Sequence, residues 1–355
     1  MTDRLNRRAA LRCLAAGLPL AAGFAGNSSL QAADSALKTS WLTSTRKGLD
    51  WVARTQTRVG HWASQAYPTA MAALAGTALI ASGSTTTQGP YAKNIRRVTD
   101  FIYSKRRDNG LIGDPLTDNR YTYGHGFSML FLSQVLGEEE DEERREELIN
   151  TLTKAVEFTV SAQTTSGGWG YVSAKDGNDF DEGSTTITQV QGLRGCRNAG
   201  IVVPSEVVER AKQYIYGCQN PDGGISYSSK NRGTSRPAIT AASVCCLQNA
   251  GEYGGEVVDK MINYCKDNLH QIQTQQQAFS HWHYTYLYYA QVVYREGFRD
   301  REFWEAFRDR LYGEIVRKQR NDGAWDDTTV GPIYVTSCNL IMMQLDYGFL
   351  PIYQR

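Results

Sequence analysis

The chain has 355 residues, 41% hydrophobic and 21% charged, with 38 Lys and Arg against 37 Asp and Glu for a formal net charge of +1. That balance excludes the basic footprint of a nucleic-acid binder and any acidic solvating tail, and 9 prolines with a negative mean hydropathy exclude collagen-like and multispanning membrane classes. The 33 glycines are many for a helical protein, and the 20 tyrosines exceed what a core needs, because each phenol requires a partner or a wet surface.

Residues 1–35 read as an export signal. Arg7 and Arg8 precede the small, apolar run AALRCLAAGLPLAAGFAG, which is too short and too rich in Ala and Gly to span a membrane. The paired arginines ahead of a weakly hydrophobic stretch resemble a twin-arginine signal. Cleavage near Ala32 or Ala33 removes Arg4, Arg7, Arg8, Arg12 and Asp3 and leaves no transmembrane anchor. The expected location is therefore exported, periplasmic or extracellular. Residues 36–355 are expected to form one domain.

The rest of the chain is periodic. Gln56, Gly60 and Trp62 form a Q-x-x-x-G-x-W pattern that recurs as Gln163, Gly167 and Trp169, and as Gln319, Gly323 and Trp325. Gln219, Gly223 and Ile225 keep all but the Trp, and Arg106, Gly110 and Ile112 keep the glycine. These glycines step by 50, 57, 56 and 100 residues, so a degenerate copy is expected near 271–281. A second set, Gly83, Gly137, Gly200, Gly251, Gly297 and Gly348, closes apolar stretches out of phase with the first. Two interleaved sets of helix-ending glycines imply two helices per repeat, six times over.

Within each repeat one helix is amphipathic and its partner nearly uncharged. Residues 205–219 place Val207, Val208, Ala211, Tyr214, Ile215 and Cys218 at three- and four-residue spacing, and 301–319 repeat the design. Residues 185–200, 238–251 and 336–348 carry almost no charge, the mark of helices buried on most sides. Amphipathic outer helices alternating with buried inner ones predict an all-α, single (α/α)6 barrel, or toroid. Six cysteines beyond the signal sit in apolar stretches without zinc-site spacing, so they are expected as core residues, with a disulfide or two as the alternative in an oxidising compartment.

The Q-x-x-x-G-x-W turns resemble the QW repeats of the squalene–hopene cyclase, oxidosqualene cyclase and protein prenyltransferase superfamily. Still more similar are exported bacterial prenyltransferase/squalene-oxidase repeat proteins, through GLRGCRNAGIVVP, CQNPDGGISY, AASVCCLQNAGEYGG, HYTYLYYAQ and YGFLPIYQR. The resemblance spans roughly 40–355 and implies that the QW residues are structural: Gln ties helix ends, Gly turns the chain, Trp packs. It establishes a fold expectation and no chemistry.

In such a barrel the turns that follow the outer helices gather with the inner-helix N-termini at one mouth, expected here at 63–69, 113–124, 170–184, 226–237, 278–284 and 326–335. Those segments hold His61, His125, Asp179, Asp181, Glu182, Arg236, His281, His283, Asp326 and Asp327, and Tyr121, Tyr123, Tyr171, Tyr227, Tyr284 and Tyr334. Class II terpenoid cyclases protonate an alkene with a D-x-D-D acid before an inner helix. The resemblance puts Asp179, Asp181 and Glu182 near that place as candidate catalytic residues, with Asp181 the candidate proton donor. Here Glu replaces the last Asp, and aligning Thr186 with the family's Thr leaves the carboxylates about one helical turn outside. The competing reading is a solvated acidic loop leading to a Ser or Thr N-cap.

His125, Tyr123, Arg236, His281, His283, Tyr284, Tyr286, Trp325 and Tyr334 are expected to line a central pocket. In residues 281–294, Tyr284, Tyr288 and Gln291 share one helical face, and Tyr286, Tyr289 and Val293 another. No metal site or cofactor is expected: the Asp, Cys and His trio of protein prenyltransferases is missing, and His281 and His283 would point about 200° apart on a helix. The thioester motif of complement-type toroids and the GxSxG serine motif are also lacking. The expected function is binding of a hydrophobic, isoprenoid-like or other small ligand in an aromatic pocket, with cyclase-like chemistry as its catalytic form. Alternatives are a structural or interaction module, or a carbohydrate-active enzyme pairing Asp179 or Asp181 with Asp326 or Asp327.

Overall fold

A computed structural model describes residues 28–64, 66–177, 179–272, 281–326 and 330–354, the side chains of 28–36 excepted. The expected signal up to residue 27, most of the degenerate fifth turn and Asp327 lie outside the described residues. Within them the chain is all-helical, with twelve α-helices. In chain order these are α1 (Ser28–Thr55), α2 (Pro68–Ile80), α3 (Ala92–Tyr103), α4 (Tyr121–Leu136), α5 (Glu142–Ala162) and α6 (Gly183–Asn198), followed by α7 (Ser205–Cys218), α8 (Pro237–Asn249), α9 (Glu256–Leu269), α10 (Trp282–Glu296), α11 (Arg301–Arg317) and α12 (Pro332–Met343). The expected domain boundary at residue 35 falls inside α1.

The even-numbered helices form the inner ring. Each packs on the next from α2 through α12, and α12 returns to α2. Their sequences leave no solvent face: every residue of α2 after Pro68 is buried, and α8 and α12 are buried from Ile239 and Val335 onward. The odd-numbered helices form the outer ring. In α7, Val207, Ala211, Tyr214, Ile215 and Cys218 are buried while the charges face out.

The QW turns rivet this double ring together. The amide of each turn glutamine donates both to its own turn glycine and to a main-chain carbonyl of the next outer helix: Gln56 to Gly60 and Asn94, Gln163 to Gly167 and Val207, Gln219 to Gly223 and Val257, and Gln319 to Gly323 and Ser44. The indoles of Trp62, Trp169 and Trp325 donate to Val52, Thr159 and Ile315 of the outer helix behind them. In the second turn Arg106 takes the glutamine's part, reaching Thr151 and Glu147 on α5. All five turn glycines have φ between +85° and +98°, a region L-residues rarely adopt.

The second glycine set departs in part from expectation. Gly83, Gly200, Gly251 and Gly348 are left-handed, but Gly137 and Gly297 close their helices in the right-handed region (φ −61° and −60°). A right-handed last residue needs no glycine. At Gly297 another constraint holds: a Cβ there would sit 2.5 Å from that of Trp304.

The end of the barrel opposite the mouth is filled. Gln191 donates to Gln291 at 2.8 Å, the Cys245 thiol shares that oxygen at 3.1 Å, and Arg295 reaches Cys245 and the carbonyl of Ile352. Ile352 belongs to a short 3-10 turn, Pro351–Tyr353, packed on α6. The expected central pocket is therefore confined to the mouth half. The six described cysteines are all buried, and among the described residues no disulfide forms. No helix among them is long and apolar enough to cross a membrane.

Candidate functional site

A cavity of ≈ 770 Å³ opens where the inner-helix N-termini converge. Every inner helix contributes: Ala70, Met71 and Leu74 from α2, Tyr123 and Phe127 from α4, Ser184 from α6, Ile239 from α8, Leu287 and Tyr284 from α10, and Tyr334 from α12. Leu74, Phe127 and Leu287 lie more than a turn into their helices, and with Ala70, Met71 and Ile239 from the first turns they make an apolar floor. The rim is built by residues at or just before the helix starts, namely Tyr67, Arg120, Arg236 and His281, with Tyr171 and Tyr227 from the two turns between α5 and α8.

Two rim residues are strained. Tyr67 and His281 occupy the position just before α2 and α10, with φ of 54° and 74°. Non-glycine residues pay about 1–2 kcal/mol for that conformation. In both cases it turns the chain sharply into an inner helix and leaves the ring at the rim.

The tyrosines form a connected wall. The Tyr171 and Tyr227 hydroxyls hydrogen-bond each other, the Tyr123 hydroxyl meets that of Ser184, and Tyr284 donates to the Ser184 carbonyl at 2.9 Å. Tyr67 packs edge-on against Tyr123, with centroids 5.8 Å apart. The Arg120 guanidinium lies 4.3 Å from the Tyr171 ring centre, and that of Arg236 lies 4.7 Å from Tyr227. The result is an arch, Arg120–Tyr171–Tyr227–Arg236, over one side of the mouth.

Behind Ser184 lies Glu182, fully buried. It caps α6 by accepting from the main-chain N–H groups of Thr185 (2.5 Å) and Ser184 (2.9 Å) and from the Ser184 hydroxyl. Burial raises its carboxyl above the usual range, against the pull of those hydrogen bonds. The other five inner helices carry no side-chain cap on their first turn, so their N–H groups add partial positive charge to the mouth.

The candidate acid loop is built differently from a proton donor's setting. The solvated reading fails at Asp181, which is buried and takes hydrogen bonds from the hydroxyls of Ser166 (2.6 Å), Ser228 (3.0 Å) and Ser229 (2.7 Å) and from the Ser229 N–H (2.8 Å). Burial pushes its carboxyl upward, but the serine donors outweigh it and hold the group below its ordinary range, ionised. Asp179, at φ 57°, pairs with Lys230 at 2.6 Å and also binds Thr165, which holds its carboxyl down at about 2. Both carboxylates stitch the α5–α6 turn to its neighbours, and neither lines the cavity. The cap of α6 is Glu182 and not a Ser or Thr.

Of the expected pocket residues, Tyr123, Arg236, His281, Tyr284 and Tyr334 line the cavity. His125 does not: it is fully buried toward α5, with Nδ1 accepting from the Ile112 N–H and Nε2 facing Thr159 and Ala155. Burial takes its imidazole down to about 4. His283 turns toward α12 and meets Asn339 at 3.1 Å. Tyr286 donates to the Leu269 carbonyl on the outer side, and Trp325 is a core rivet. The two faces read on α10 separate as expected: Tyr284, Tyr288 and Gln291 look inward, while Tyr286 and Tyr289 meet the outer ring.

Sequence reasoning missed Tyr67, Arg120, Met71, Phe127, Ser184 and Leu287. One signal could have found the first two: before four of the six inner helices the preceding residue (Tyr67, Arg120, Arg236, His281) lines the cavity, Glu182 and Gly331 being the exceptions. Pro68 marks such a start, and Arg120 stands in the same place before α4.

No protein-family model matches the chain, and no curated protein matches it by sequence. Solved structures share the fold. The GH76A α-1,6-mannanase of Salegentibacter sp. HEL1_6 superposes with a TM-score of 0.63 at 9% identity, covering 86% of this chain and 98% of that one. A variant of the type II terpene cyclase MstE from Scytonema, in complex with geranylgeranyl dihydroxybenzoate, gives 0.58 at 12% identity over 90% and 99%. At these identities the likeness establishes the (α/α)6 toroid and nothing about the reaction.

Proposed function

We propose that the protein is an exported toroid that binds a small ligand with an apolar body in its mouth cavity, in the manner of a terpenoid-cyclase-like pocket used for holding a ligand. One observation carries the reading: six tyrosines and two arginines rim a cavity of ≈ 770 Å³ whose floor is Ala70, Met71, Leu74, Phe127, Ile239 and Leu287. A cavity of this volume takes a drug-sized or isoprenoid-sized body, and apolar walls with a few convergent polar groups are what ligand sites share. Aromatic faces also suit flat or cationic groups. Cyclase chemistry draws no support from Asp181, which is ionised and away from the cavity.

The test is extraction of the purified, exported protein followed by mass spectrometry, beside a Leu287→Trp variant that fills the floor. A stoichiometric apolar molecule in the parent that is lost in the variant supports the reading. Equal recovery from both contradicts it.

The carbohydrate reading keeps one specific support, the mannanase-like fold together with tyrosine rings able to stack on sugars. Hydrolysis would need two facing carboxylates. Asp179 and Asp181 are tied as described, Asp326 pairs with Arg320 at 3.3 Å, and Asp327 lies outside the described residues. Titration with α-1,6-linked mannotriose separates this reading from the first.

A further inference from the structure

Two of the rim side chains are permanent cations, and among the described residues neither forms an ion pair. Among the described residues no carboxylate lies within ion-pair distance of the Arg120 or Arg236 guanidinium, and neither side chain donates a hydrogen bond. Two acids stand close by in sequence or space. Asp118 is buried, accepts the Arg120 main-chain N–H at 2.9 Å through one oxygen and feels the Arg120 charge without forming an ion pair with it, and Glu182 is consumed in capping α6. No described Asp or Glu lines the cavity. Cation–π contact with Tyr171 and Tyr227 positions each guanidinium, and among the described residues its N–H groups have no hydrogen-bond partner. An arginine held in this way is suited to bidentate recognition of a planar or tetrahedral oxyanion. The two arginines stand immediately before α4 and α8 and flank α6, so uncapped N–H groups of α4 and α8 add to the same field.

Resting on the cavity reading above, we infer that the ligand is an anionic amphiphile: an apolar or aromatic body that enters the floor, joined to a carboxylate, sulfonate or phosphate group held at the rim by Arg120 and Arg236. An apolar body alone would leave both guanidinium groups at the mouth without an anionic partner. An anion alone would leave the floor of Leu74, Phe127 and Leu287 in contact with water.

The test compares two fluorescent probes with one body, 8-anilinonaphthalene-1-sulfonate and the neutral N-phenyl-1-naphthylamine, on the full exported chain. The sulfonate is expected to bind at least about tenfold more tightly than the neutral probe. Arg120→Gln and Arg236→Gln should each weaken the sulfonate more than the neutral probe and so remove most of that advantage, with an unchanged helical circular-dichroism spectrum reporting that the variant is folded. Arg236→Lys should restore part of the advantage. Leu287→Trp should weaken both probes.

Equal affinity for the two probes, unchanged by the arginine variants, overturns the anionic class and leaves the cavity reading standing. Binding of neither probe, or binding indifferent to Leu287→Trp, overturns both. Full displacement of the sulfonate by inorganic phosphate at comparable affinity shows a plain anion site and overturns the amphiphile.

Discussion

Gly323 sits directly over the main-chain carbonyl of Lys47: a Cβ added to this last turn glycine would lie 2.4 Å from that oxygen in the first helix. With Gln319 bound to Ser44 across the same seam at 2.9 Å, the contact closes the outer ring between its two ends. Gly323→Ala must relieve both a backbone clash and a φ of +94°, and is expected to cost more than about 3 kcal/mol. Gly200→Ala, at φ +91° with nothing within 4 Å, should cost only about 1 kcal/mol. Urea denaturation of the two variants checks this, and equal losses would show that φ alone governs these glycines.

His125 predicts an acid-labile step. Its folded value of about 4 lies below the ordinary 6.5 because it is buried, and Nδ1 already accepts the Ile112 N–H and has no room for a proton. As pH falls below about 6.5 the unfolded chain takes up the proton first, so stability declines until about pH 4 and levels off below it. The full drop is about 3 kcal/mol. Above pH 6.5 the contribution is complete. Stability curves of the parent and of His125→Asn between pH 7 and 4 should diverge in slope, and parallel curves would reject the assignment.

Asp181→Asn replaces one accepting oxygen with a donor against hydroxyls and an N–H that all donate to it now. The expected loss is about 1–3 kcal/mol of stability, with probe binding in the cavity unchanged. If instead stability held while turnover of a polyprene disappeared, the residue would be acting as an acid and its placement as a loop tie would be wrong.

Arg295 is fully buried and has no carboxylate partner among the described residues. Its charge is met by the Ile352 carbonyl at 2.7 Å, Asn249, Gln248 and Cys245. Arg295→Ala strands those acceptors and releases the 3-10 turn at Pro351–Tyr353, for a loss of about 3 kcal/mol. Limited proteolysis should then cut the C-terminal segment early, and a protected segment would show that packing on α6 alone holds it.

The ring of helices was legible because its causes are local and repeated: uncharged inner stretches, three- and four-residue spacing in the outer ones, and glycines at turns that demand positive φ. The cavity was legible only in part. Tyr284 and Arg236 were readable from helix face and position. His125 and His283 were not, because a histidine near a helix start can point toward the mouth or toward the outer ring, and only packing decides. Asp181 misled for a related reason. A carboxylate in an acidic loop looks like chemistry until Ser166, Ser228 and Ser229, up to 48 residues away in sequence, are seen to close around it. Gly137 and Gly297 carried the repeat signal without the left-handed turn it implied.

The most direct measurement is a crystal structure of the protein with a brominated aryl sulfonate. The bromine's anomalous signal is predicted among Leu74, Phe127 and Leu287, with the sulfonate against Arg120 and Arg236. A cavity that stays empty under saturating probe, or a probe bound elsewhere on the surface, would contradict the claim that this mouth is a ligand site.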